Sequence, residues 1–223
     1  MKSVVLLAAV LILAGCTNGD TINNQRFSGT LELTEHVLGA KVPGRIATLN
    51  VKEGDYVKSA QVLGTVDRYE QALKDYNRLN ELFKTGGATQ QQVEYAKLAV
   101  DDQQVVSPID GIVLVKTVEL GETVVAGAGL IVVGDTANPW VRIFVPEGIL
   151  NQISMGQKAH IYFDGLKNSV DGHVITIASK SEFTPRNVQT TEERVTQAFA
   201  VKVALDKPNT SVHPGVAADV TFK

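Results

Sequence analysis

The chain has a single cysteine among its 223 residues, Cys16, so no disulfide can form within it and a buried core has to hold it together. It has no basic run either. Its 21 Lys and Arg are interspersed with 24 Asp and Glu for a net charge of -3, which leaves nothing that could track a phosphate backbone. Nucleophile-elbow, phosphate-loop and HExxH motifs are all missing. His36, His160, His173 and His213 lie far apart without ligand spacing, so no metal site is expected. The adjacent carboxylates Asp101-Asp102 and Glu192-Glu193 point to different faces of whatever element carries them, unlike the facing pairs of acid-base catalysis. These absences argue against an enzyme and against a resident cofactor.

What is present begins with an export signal. Lys2 is followed by an apolar run from Val4 to Leu13, too short to span a bilayer comfortably as a permanent anchor. Leu13-Ala14-Gly15-Cys16 resembles a bacterial lipobox, in which the thiol is diacylated and the chain is cut before the cysteine. On that reading 1–15 is a lipoprotein signal peptide and 16–26 a lipid anchor with a polar tether, the acyl chains giving durable attachment.

A strand is expected over Thr30 to His36, and Gly44 to Val51 leads into a turn at Lys52-Glu53-Gly54-Asp55. From Tyr69 the period changes: Tyr69, Ala72, Tyr76, Leu79 and Phe83 recur at three and four. Gly86-Gly87 stops this helix, and Thr89 can cap a second one carrying Val93, Ala96 and Val100. Two amphipathic helices with a short glycine turn predict an antiparallel hairpin, although two surface helices on a globular core would show the same pattern.

After the hairpin the strands return as a copy of those before it. Gly44, Val51, Gly54, Val57, Leu63 and Val66 match Gly111, Val118, Gly121, Val124, Leu130 and Val133 at a constant offset of 67 residues. This predicts two similar halves, with Gly44, Gly54, Gly111 and Gly121 as structural turns, that bury their apolar faces against each other as a small sandwich. A swinging-arm carrier would present a lysine in the turn between such halves. The hairpin occupies that place here. From Trp140 onward short strands continue, with turn signals at Asp164-Gly165 and Asp171-Gly172 and a single helical turn expected from Glu147 to Leu150. A compact barrel is expected, completed by the strand before Gly44.

The lipobox, the split two-half domain with its helical insertion and the following barrel together resemble the periplasmic adaptor, or membrane fusion protein, family of the HlyD type. Val106-Ser107-Pro108-Ile109-Asp110-Gly111-Ile112-Val113 and Val51-Lys52-Glu53-Gly54-Asp55-Tyr56-Val57 are similar to the family's two lipoyl half-motifs. The stretch from Glu182 to Arg194 is similar to barrel sequences of adaptors that serve ABC-type exporters. The resemblance implies a mainly β fold with an inserted α-helical hairpin. Its parts are a β-barrel domain (27–38 plus 137–223), a lipoyl-like split β-sandwich (39–68 plus 104–136) and a short hairpin (69–103). It further implies a lipid-anchored homo-oligomer, expected to be a ring, on the periplasmic side of the inner membrane. That assembly would link an inner-membrane ABC-type transporter to a TolC-like outer-membrane channel or another envelope partner. Alternatives are an adaptor of a proton-driven RND efflux pump, for drugs or metals, and an envelope scaffold or ligand-binding lipoprotein without a transporter. Arg78, Leu82 and Thr89 fall at the spacings of the family's channel-docking residues, with threonine replacing serine. One departure is length: helices of about 15 residues reach only about 22 Å, short for the family. Either the outer partner projects inward or the tip touches no outer-membrane channel.

Overall fold

The computed structural model describes residues 25–182, 198–207 and 213–223. The signal peptide, Cys16 and nearly all of the Glu182 to Arg194 stretch lie outside the described residues. Along the chain come β1 (Phe27–Glu32), β2 (Glu35–Gly39), β3 (Gly44–Leu49), β4 (Tyr56–Val57), β5 (Val62–Val66), α1 (Tyr69–Lys84) and α2 (Gln90–Asp102). There follow β6 (Gln104–Val106), β7 (Gly111–Lys116), β8 (Thr123–Val124), β9 (Gly129–Asp135), β10 (Trp140–Pro146), α3 (Glu147–Leu150), β11 (Lys158–Phe163), β12 (Val170–Glu182), β13 (Ala198–Leu205) and β14 (Ala217–Phe222).

The sequence repeat is realised as a pseudo-twofold sandwich of two four-stranded sheets, β2-β9-β7-β4 and β6-β5-β3-β8. Each half lends its short strand to the other. Gly44 faces Val124 in the β3–β8 pair, and Gly111 faces Val57 in the β7–β4 pair, the same relation 67 residues on. The backbone bonds obey it too: Gly121 N–H donates to Ile46 O and Gly54 N–H to Val113 O. Val51, Val57, Leu63, Val118, Val124, Leu130 and Val133 meet in one buried cluster. Neither half closes that cluster alone, which is why the strands of the two halves interleave.

Gly54 and Gly121 are turn residues, with φ of +89° and +88°. Gly44 and Gly111 are not. They open β3 and β7, and what they supply is the absence of a Cβ where the opposing chain comes close. The repeat also extends beyond the six matched positions, because Ala60 (φ +64°) stands where the second half has Gly127 (φ +84°). An L-residue in this left-handed region costs about 1–2 kcal/mol. Ala60→Gly therefore raises the unfolding free energy by about 0.5–1 kcal/mol in urea titration, the entropy of the freer glycine offsetting part of the relief.

The second body is a closed six-stranded barrel, β1-β10-β13-β12-β11-β14, filled by a core of its own that includes Val141, Ile143, Ile161, Val201 and Val220. The strand expected over Thr30 to His36 is two strands. β1 belongs to the barrel and β2 to the sandwich, parted at Leu33-Thr34, where the chain leaves one core for the other. Asp164-Gly165 forms a turn, with Gly165 at φ +86°. Asp171-Gly172 does not: it lies inside β12, with Gly172 paired to Ala159 and to Leu205. α3 forms the expected helical turn.

Between the halves, α1 and α2 make the antiparallel hairpin. α1 ends in a Schellman motif, Gly87 N–H donating to Leu82 O (2.8 Å) and Gly86 N–H to Phe83 O (3.1 Å), with Gly86 at φ +77°. Sixteen residues in α1 give a rise of about 24 Å.

Candidate functional site

Among the described residues no three His, Cys, Asp or Glu side chains are placed to hold a metal ion. His160 lies 3.0 Å from Asp171 and His173 lies 2.6 Å from Asp206, two separate pairs on the barrel surface. Asp101 and Asp102 each face a lysine, Lys97 and Lys41, and brace the base of the hairpin. The groups that remain to be explained are surfaces.

At the hairpin tip, Arg78 is 69% exposed and its guanidinium sits 2.6 Å from Asp75 one turn earlier. Such an exposed pair contributes well under 1 kcal/mol, so it holds the side chain in place without forbidding a new partner. Leu82 is exposed beside the glycine turn, as is Phe83. Thr89 is committed to its own helix. Its hydroxyl accepts from Gln92 N–H (3.3 Å) while Thr89 N–H donates to the Gln92 side chain (2.8 Å), a complete capping box. Thr89→Ala accordingly lowers hairpin stability by about 1 kcal/mol, and Thr89→Ser does not, as followed by hydrogen exchange of the α2 amides.

The sandwich carries a second surface that the sequence reading did not single out. On the outer side of β2-β9-β7, Val37 and Val115 flank Val132 in register. They are 66% and 43% exposed. The runs Ile112-Val113-Leu114-Val115 and Leu130-Ile131-Val132-Val133 held the signal, since a strand with one wet face alternates and these do not. Leu120 and Val125 add to the apolar exterior at turns where the first half has Glu53 and Lys58.

Residues 36–135, which span β2 to β9 with the hairpin included, match the family model described as RND MFP, barrel-sandwich hybrid domain. A solved structure described as the periplasmic adaptor protein EmrA superimposes with a TM-score of 0.55 over 91% of this chain and 99% of its own, at 13% identity. The chain has the fold of the periplasmic adaptor, or membrane fusion protein, superfamily. A MacA-MexA chimera carrying the Pseudomonas aeruginosa MexA α-hairpin shares this adaptor fold, with a TM-score of 0.62 and 21% identity over 89% of this chain and 80% of that one. In sequence, a UPF0194 membrane protein of Citrobacter koseri is 22% identical over 99% of this chain and 97% of the relative. That alignment runs over 322 positions against 223 residues here, so about 100 positions of the longer relative have no counterpart in this chain. Among the described residues no helix is long and apolar enough to cross a membrane.

Proposed function

We propose that this chain is a lipid-anchored periplasmic adaptor that joins an inner-membrane exporter of the RND type to an outer-membrane channel and carries out no reaction itself. One observation carries the reading: the matched barrel-sandwich hybrid domain is the one described for RND membrane fusion proteins, and it is followed by a closed barrel. The ABC-type partner is the second reading. It rests on the Glu182 to Arg194 resemblance, a stretch nearly all of which lies outside the described residues.

In this proposal Cys16 carries the lipid and holds the base at the inner membrane. Copies stand side by side through the sandwich. The Val37, Val132 and Val115 row supports such packing, because a contiguous exposed apolar face on a monomer calls for a partner. The pseudo-twofold is broken where Glu53 and Lys58 on one side correspond to Leu120 and Val125 on the other. Unlike sides favour head-to-tail contact, which closes a ring when the rotation allows.

The hairpin tip then meets the outer partner. Leu82 is the apolar anchor and Arg78 exchanges Asp75 for an acidic or carbonyl-rich groove, while Thr89 shapes the tip through its cap. With a rise of about 24 Å, that partner has to reach inward to meet it. A photocrosslinker at Leu82 in cells captures an outer-membrane channel on this reading. Capture of sister adaptors alone would reassign the hairpin to self-assembly.

A further inference from the structure

The barrel has a hollow on its outside that the docking surfaces do not use. Residues of β10, β13 and β12, with Thr34, Asn138 and Pro139 beside them, line a cavity of about 420 Å³, within the usual size of small-molecule sites. Its origin is in the register. Small Ala204 faces Trp140 on one side and His173 on the other, so two large side chains stand around a missing one. The β-bulge between Val174 and Thr176 sets two residues of β12, Ile175 and Thr176, opposite Lys202 alone. Bulges of this kind re-aim side chains at functional sites.

Charge gives the hollow its chemistry. Lys202 Nζ stands 3.8 Å from the centre of the Trp140 ring, a cation held over an indole that is only 7% exposed. The neighbouring side chains have partners of their own: Arg142 lies 3.1 Å from Glu32, and the His173 ring lies 2.6 Å from Asp206. Among the described residues Lys202 enters no ion pair, so its ammonium is available to a ligand. Apolar wall comes from Trp140, Ile175 and Leu205.

We infer that this hollow is a binding site for a small amphipathic anion, its carboxylate or phosphate on Lys202 and its apolar body along Trp140 and Ile175. The occupant is a free molecule and not a bilayer lipid, because the indole is recessed below the barrel surface and the volume holds one short chain. Its position adds a consequence. Thr34 and Asn138, which also line the cavity, lie on the two crossings between barrel and sandwich, where Asp135 accepts from Asn138 Nδ2 (2.8 Å) and its own N–H donates to Thr34 O (2.9 Å). An anion seated there stiffens the junction.

Trp140 is the chain's one tryptophan, so its fluorescence reads the site directly. The full chain, purified from membranes into phosphatidylcholine nanodiscs, is titrated with decanoate below its micellar range. Partition of the probe into lipid is common to all variants and cancels. The expected result is a saturable change in Trp140 emission that Lys202→Arg keeps within about threefold in affinity and Lys202→Gln weakens at least about tenfold, with no response to decyltrimethylammonium. An unchanged titration in Lys202→Gln, an equal response to the cationic probe, or a response to phosphatidylglycerol nanodiscs without one to decanoate would each overturn the proposal.

Discussion

Leu63→Ala and Leu130→Ala each lower the stability of the sandwich by about 2–5 kcal/mol, the range for emptying a leucine-sized volume in a packed core. The two leucines are equivalent under the 67-residue repeat, and both are almost fully buried in the same cluster. Their effects are therefore similar in size. They are also coupled, since both side chains line one core and a cavity at one relaxes the wall of the other. The barrel core shares no residue with this cluster. In urea titrations the far-UV signal therefore shifts to lower denaturant, while the Trp140 emission, which reports the barrel, shifts less. Equal displacement of both signals would mean that the two cores unfold as one unit.

Gly111→Ala is expected to cost about 3 kcal/mol or more, at the upper end for overpacking. An added Cβ would lie 2.3 Å from Gly134 O and 2.7 Å from Val133 Cγ1, and the first of these is backbone in the paired strand β9, which cannot turn away. Gly44→Ala separates the two halves. Its Cβ would meet Val66 Cγ1 at 2.4 Å and Asp67 Oδ1 at 2.8 Å, both side-chain atoms, so part of the clash is relieved by rotation. Gly54→Ala meets nothing within 4 Å and carries only the cost of its positive φ, about 1–2 kcal/mol. The expected order is Gly111 above Gly44 above Gly54, read from unfolding midpoints. A Gly54 variant that lost more than Gly111 would contradict the packing described here.

That order illustrates what a sequence can and cannot disclose. The offset of 67 was legible because the buried positions of both halves kept Val, Leu and Gly, and core shape restricts those choices most. The hairpin was legible for a local reason: its seam, glycine stop and capping threonine all act within a few residues. Gly44 and Gly111 looked like turns because glycine marks turns and close approaches alike, and only the opposing strand tells which. Asp171-Gly172 misled for the same reason, its turn propensity being overridden by pairing to β11 and β13. Ala60 was illegible as the partner of Gly127, since nothing in an alanine announces a left-handed backbone. At the hairpin tip, the position of Arg78, Leu82 and Thr89 near the turn followed from helix geometry. That the Thr89 hydroxyl is occupied by Gln92 and that Arg78 is tied to Asp75 depended on rotamers, which spacing does not fix.

The same limit applies to the proposed transporter partner, which would meet surfaces and not the core. Affinity purification of the protein in mild detergent, with identification of any inner-membrane protein that accompanies it, addresses the central claim most directly. The account predicts an RND-type permease in near-constant ratio to the adaptor. Recovery of the chain as a monomer with no permease, or with an ABC permease in its place, would contradict it.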